Sequence, residues 1–200
     1  WARKAILEHG GAARSNVFTR FALALFGQVP WRAVPVIRVE AMLLPKWAPF
    51  HINKVSYWSR TVIVPLKVLA ALKPRAHNPR GVDISELFVK PANEQRFYQT
   101  NPTGNFFGML MLVVDFMARF VVPLIPKRME KMAIERAMKF VTKRLNGEDG
   151  LGGIFPAMTN ALMAFDAMEV PKDHPDYVIC RKAIDRLLVL HDDWGYCQPC

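Results

Sequence analysis

Cysteine is scarce in this sequence: three in 200 residues, an odd number, make no disulfide framework and leave a reducing compartment as the default. Cys197-Gln-Pro-Cys200 has the C-x-x-C spacing of a zinc or redox pair, and His191 stands close by. A structural zinc site needs four ligands, and Cys180 and His174 are the only other candidates, so no metal is expected. Strand patterning is missing throughout, which leaves an all-α fold. Gly147, Gly150, Gly152 and Gly153 follow no strand and precede no Gly-Lys-Ser/Thr, so they belong to a tight helix connection and not to a phosphate cradle. The nucleophile elbow of a serine hydrolase is also absent. No motif asks for a cofactor. No secretory leader is visible; the chain begins Trp1-Ala-Arg-Lys-Ala-Ile-Leu-Glu-His9 without a Met and reads as an excerpt from a longer protein.

Acidic residues are also few. Seventeen against 27 lysines and arginines give a net charge of +10, which favours an anionic partner, either nucleic acid or the anionic face of a membrane. The basic residues never run longer than two, and no glycine-aromatic signature accompanies them, so a bilayer surface is expected and nucleic acid is not. What is abundant is apolar and aromatic. With 52% hydrophobic residues, 13 of them Phe and five Trp, the chain can bury the core of one domain, and 15 prolines punctuate it.

Periodicity sets out the helices. Trp1 to His9 is the tail of one helix, stopped by Gly10-Gly11; Ser15 or Asn16 caps a second over Val17 to Phe26, ended by Gly27. Gln28 to Phe50 contains Pro30, Pro35, Pro45 and Pro49, which allow only a short helix around Val39 to Leu44, with Trp31 and Trp47 packed along the connector. Ile52 to Leu72 predicts a long helix kinked at Pro65 and stopped by Lys73-Pro74. Arg75 to Gly104 is a long polar surface loop, pinned at Ile84, Leu87 and Phe88. Met129 to Leu145 is amphipathic, with Met132, Ile134, Ala137, Met138 and Val141 inward. Asn146 to Gly153 is a turn, and Pro156 to Met168 and Tyr177 to His191 are two more helices. Long helices alternating with tight turns suggest helical hairpins stacked in a solenoid or closed toroid.

Phe106 to Pro126 is nearly a membrane span. Asp115 and Arg119 interrupt it near the middle, and Pro123 and Pro126 end it. Each charge would cost roughly 2.5 to 3.5 kcal/mol at a bilayer centre, partly offset by their i,i+4 spacing. On these residues alone three readings stay open: a buried core helix, a helix lying in one leaflet, and a true span. Lys127, Arg128 and Lys131 follow at once, placed to meet lipid headgroups.

An ordered series of short motifs runs through the chain: Ser15-Asn-Val-Phe-Thr-Arg20, Ala24-Leu-Phe-Gly27, Val29-Pro-Trp31, Trp58-Ser-Arg60, Gly150-Leu-Gly-Gly-Ile-Phe-Pro156, and His191-Asp-Asp193 through Cys197-Gln-Pro-Cys200. The series resembles the squalene–hopene cyclases, collinearly over essentially the whole length. The resemblance implies two α/α barrels around a central cavity, of which residues 1–200 would be most of the N-terminal barrel, and monotopic attachment to the cytoplasmic face of a bacterial inner membrane through a helix at about 105–126. It also implies proton-initiated cyclisation of squalene to hopene- or hopanol-type pentacyclic triterpenes, with squalene, the lipid bilayer and the remaining C-terminal half of the cyclase as partners, and a homodimer as a possible assembly. An oxidosqualene or other polyprenyl cyclase is the nearer alternative, and a non-enzymatic membrane-surface helical protein the more distant one. The family's QW repeats tie successive helices through a Gln and a Trp; here Leu145 and Leu151 occupy those places.

A polyene cyclase needs a dry cavity whose aromatic faces meet a migrating cation. By resemblance Phe18, Phe21, Trp58, Ile154 and Pro156 line that cavity, with ordinary core packing the other reading of Phe18 and Trp58. Val55 and Ile63 match the channel gate. Phe106, Phe107, Met109, Leu110, Leu112 and Val113 match the membrane contact. Arg60 is expected to pair with an acid. No catalytic residue is assigned, because the family's Asp-x-Asp-Asp acid has no match and Leu190-His-Asp-Asp193 lacks the first Asp. The missing half would supply the proton, and the chain alone is expected to be inactive.

Overall fold

The computed structural model describes residues 1–48, 51–101, 104–121 and 124–200; Pro49 and Pro123, read above as helix breakers, lie outside them. The described chain is mostly helical and divides into two compact units, Trp1–Ile37 with Lys73–Ile125, and Arg38–Leu72 with Pro126–Cys200.

In the first unit α1 (Ala2–Glu8) ends where Gly10 and Gly11 take φ of +93° and +72°. A side chain at Gly11 would meet the Leu87 carbonyl oxygen at 2.7 Å, so glycine admits the 3₁₀ turn Ser85–Leu87 against this corner. Helix α2 (Val17–Leu25) starts with the Asn16 side chain accepting from the Thr19 N–H at 2.8 Å, which settles the choice of cap. The polar stretch after Lys73 is tied down: the Ala76 N–H donates to Leu25, and the Gln28 amide bridges Val82 and Ile84. Asn105 caps α4 (Phe106–Val121) by accepting from the Gly108 N–H at 2.7 Å.

The second unit holds α3 (Tyr57–Leu72), α5 (Lys127–Thr142), α6 (Phe155–Ala167) and α7 (Pro175–Leu187). Helix α3 packs on α5, α6 and the 3₁₀ segment Val39–Leu43, and α6 packs on α7. Alanines at 133, 137, 157, 161 and 164 are buried on the facing stripes, so the helices approach closely while Val64, Val68, Leu69, Val141 and Met158 fill the space between. Lys73 ends α3 and Glu169 follows α6 with positive φ, a left-handed stop that costs these L-residues about 1 kcal/mol each.

Several expectations change. The helix foreseen from Ile52 begins at Tyr57, because His51 caps a separate 3₁₀ turn, Ile52–Lys54, and the Ser56 hydroxyl accepts from the Ser59 N–H. The helix foreseen to His191 stops at Leu187; Leu188–Leu190 forms a hairpin strand with Gly195–Cys197. The Asn146 to Gly153 turn is a second hairpin, β1 (Leu145–Asn146) on β2 (Gly150–Leu151). Met132 is 50% exposed, because the buried stripe of α5 runs through Ala133, Ile134, Ala137, Met138 and Val141. Trp47, expected along the connector, is exposed, whereas Trp31 stands edge-on to Phe21 at 5.3 Å. The two places that the resemblance assigns to a Gln and a Trp are direct partners: Leu145 faces Leu151 across the first hairpin, and Leu151 is fully buried, so the contact here is apolar.

Candidate lipid-facing helix and cavity wall

Helix α4 has sixteen residues and buries none of them. Its half-buried positions are Gly108, Met111, Leu112, Asp115, Ala118 and Arg119, spaced at three and four, so they form one stripe. The rest is exposed and apolar, including Phe106 (84%), Phe116 and Phe120. The charges that spoil the segment as a span lie on the inward stripe. Asp115 Oδ1 accepts from the Val36 N–H at 2.5 Å; Arg119 donates to Asp115 Oδ2 through Nε at 3.0 Å and Nη2 at 2.9 Å. Arg119 also donates to the carbonyls of Arg32 and Val34, both at 3.2 Å. The pair therefore stitches α4 to the backbone of residues 32–36 and leaves the other side of the helix to the apolar residues. A side chain at Gly108 would collide with the Asn101 amide, so glycine at the head of the stripe leaves room for that side chain against the helix.

Five of the six residues expected to meet lipid, Phe106, Phe107, Met109, Leu110 and Val113, are exposed; Leu112 is half-buried on the stripe of Asp115. Exposed residues that sequence reasoning passed over continue the face through Val114, Phe116, Met117, Phe120 and Val121. Among the described residues no helix is long and apolar enough to cross a membrane.

The candidate cavity residues fall in both units. In the first, Phe21 is buried on α2 and Phe18, one turn earlier, is 59% exposed. Arg20 between them is buried and donates to the Tyr98 carbonyl at 2.5 Å. Burial lowers its pKa, and the Asp115 charge partly restores it. This clasp between α2 and the loop was not foreseen; its only signal is an arginine on the apolar face of a short helix.

In the second unit Trp58 lies in the first turn of α3, 57% exposed, its ring 5.6 Å from that of Tyr57. The Trp58 carbonyl accepts from the buried Thr61 hydroxyl at 2.7 Å. Gly152, at φ +71°, approaches that same hydroxyl, where an added Cβ would stand 3.1 Å away. The turn leading to Ile154 therefore rests beside the start of α3. Ile154, half-buried, is the N-cap of α6, and Pro156 is exposed in its first turn, where a missing N–H is harmless. The gate candidates Val55 and Ile63 are half-buried. Among the described residues Arg60 pairs with no acid; its guanidinium lies 5.9 Å over the Tyr57 ring and 3.5 Å from Asn53 Oδ1. No group of three or more His, Cys, Asp or Glu among the described residues could hold a metal ion. Cys180 is buried, which pushes its thiol up to about 12, while Cys197 and Cys200 are exposed.

Comparison with known proteins adds an independent line. The chain is 52% identical over its whole length to a squalene–hopene cyclase of Bradyrhizobium diazoefficiens, 50% to a probable one of Sinorhizobium fredii, and 49% to one of Zymomonas mobilis. It covers 30%, 31% and 31% of those proteins, so it spans about a third of the length of the relatives it matches. Residues 1–193 match the family model described as the squalene-hopene cyclase N-terminal domain, and it is to this family that the chain belongs.

Proposed function

We propose that the full-length protein carrying this chain is a squalene–hopene cyclase, and that these residues give it a lipid-facing helix and part of its cavity wall. The observation that carries the reading is α4: an apolar helix with no buried residue, whose two charges are spent on its own fold. Squalene is a hydrocarbon with no hydrogen-bonding group, so an enzyme that uses it must draw it from a bilayer. A helix lying in one leaflet, apolar side down, suits that task without crossing. The net charge of +10 favours an anionic, cytoplasmic leaflet.

Within the barrel expected for such an enzyme, Phe18 and Trp58 would present π faces to positive charge, Phe21, buried against Trp31, would back them, and Ile154 and Pro156 would keep the wall dry. The exposure of Phe18 and Trp58 is what a wall residue has before the opposite wall is in place. Val55 and Ile63 would stand at the channel. No Asp-x-Asp-Asp occurs in the 200 residues, so the proton would come from the C-terminal part, and the chain by itself would not turn over.

The test is to incubate the full-length protein with squalene and, separately, with oxidosqualene, and to identify products by mass spectrometry. Pentacyclic hydrocarbon or alcohol from squalene supports the proposal. Conversion of oxidosqualene alone would reassign the substrate, and no product from either would leave a membrane-surface protein without cyclase activity.

A further inference from the structure

Helix α5, continued by its C-cap Lys143 and by Arg144 in the turn beyond, carries two stripes. One is the buried apolar stripe that packs in its unit. The other is Arg136, Lys139, Phe140, Lys143 and Arg144, at the i, i+3, i+4, i+7, i+8 spacing of a single face. With Met42 to Lys46 and His51 to Asn53 this second stripe lines a cleft of about 750 Å³. Five described lining residues are lysine or arginine, counting Lys46, and none is acidic. Among the described residues none of the five forms an ion pair, not even Lys139 with Glu135 one turn before it. Like charges three and four apart on a helix repel, so Arg136, Lys139 and Lys143 destabilise one another unless something neutralises them.

Two further groups are set as donors. Arg144 lies over the Phe140 ring, its Cζ 3.6 Å from the centroid, and spends one N–H on the Phe140 carbonyl, which together hold the guanidinium in place. His51 is 6% exposed, and its Nδ1 accepts from the Asn53 N–H at 3.0 Å. In the neutral ring that places the proton on Nε2, a donor with no partner among the described residues.

We propose that this cleft binds a phosphate-bearing anion through Lys46, His51, Arg136, Lys139, Lys143 and Arg144. Phosphate is the common anion that takes several such donors at once, the arginines in pairs and the lysines as point charges. The cleft has room for more than one phosphate group, and Leu43, Leu44 and Ile52 provide an apolar wall beside the charges. The anion could arrive as a phospholipid headgroup or as a free diphosphate, and the two sources are separable by experiment. The proposal is independent of the cyclase reading and of the apolar face of α4.

The full-length protein is to be titrated with inorganic diphosphate in a calorimeter, and sedimented with phosphatidylcholine vesicles made with and without phosphatidylglycerol. Each is repeated with K139Q/K143Q and with K172Q/K182Q, which removes the same charge at exposed lysines outside the cleft. A real site loses about tenfold affinity in the cleft pair and less than about twofold in the control pair. The loss in the diphosphate titration marks a free anion, and loss of the phosphatidylglycerol-dependent binding marks a headgroup. Absence of binding in both arms, or equal loss in the two pairs, overturns the proposal. Should the cleft pair fail to melt like the parent, R136Q alone is read in the same way.

Discussion

Replacing Phe116 and Phe120 together by Ala tests the outward face of α4 where its consequence is largest. The two rings are 59% and 66% exposed and meet edge-on at 5.1 Å. A phenylalanine can bury about 150 to 250 Å², so truncating the pair removes roughly 200 Å² of apolar surface that the described structure leaves uncovered. At about 25 cal/mol per Å² this is about 5 kcal/mol if the face enters hydrocarbon fully, and about half that for a helix seated only partway. Vesicle affinity of the full-length protein should therefore fall by at least about fiftyfold. Neutral phosphatidylcholine vesicles are the right probe, because they remove the contribution of the basic residues. Stability should change little, since the lost ring contact amounts to about 0.5 to 1.5 kcal/mol. Unchanged sedimentation with a lowered melting temperature would refute the reasoning, because it would mean that protein and not lipid covers these rings.

Arg119→Met should destabilise the fold by about 2 kcal/mol in urea titration, since it leaves a largely buried Asp115 with only the Val36 amide; Arg119→Lys should restore little, because a lysine lacks the planar fork. Trp58→Ala in the full-length protein should lower turnover or release incompletely cyclised products, and an unaltered product profile would return Trp58 to a packing role. A thiol reagent at neutral pH should modify Cys197 and Cys200 and spare Cys180 until the chain unfolds. The folded Cys180 thiol keeps its proton up to about 12, whereas an unfolded one loses it near 9.0. Stability should accordingly fall above the lower value by about 1.4 kcal/mol per pH unit, and Cys180→Ala should abolish that component.

Helix positions were legible where apolar spacing and a cap agreed. Val17 to Phe26 needed only Asn16 before it and Gly27 after it, and α5 and α6 came out within two residues of their observed starts. Reading failed where a strand imitates a helix. Leu187 to Leu190 continues the apolar run of α7 without a break, and what turns it into a strand is a partner, Gly195–Cys197, that no local pattern announces. It failed also at Ile52 to Val55, whose side chains fit the helix period while the His51 and Ser56 side chains capture the backbone N–H groups. The site was legible mainly as likeness to a family. Periodicity identified α4 as apolar but not which side of it the protein keeps, because that depends on carbonyls at residues 32 and 34, more than eighty positions away.

That distance bears on how charges inside an apolar segment are weighed. Counted as passengers, Asp115 and Arg119 only subtract from a span. Counted as ligands of the backbone, they explain why the segment can be so apolar and still belong to a folded unit. A helix held by side-chain packing must turn its greasiest face inward, whereas one held by an ion pair clamped on main-chain groups can turn that face out. The arrangement needs the acid four residues before the base on one stripe, and loop carbonyls left without helical partners. Asp115, Arg119 and the segment around Arg32 to Val36 meet each requirement. An apolar stretch interrupted by a single i,i+4 acid–base pair is thus better read as a helix that shows its apolar side to something else than as a failed span.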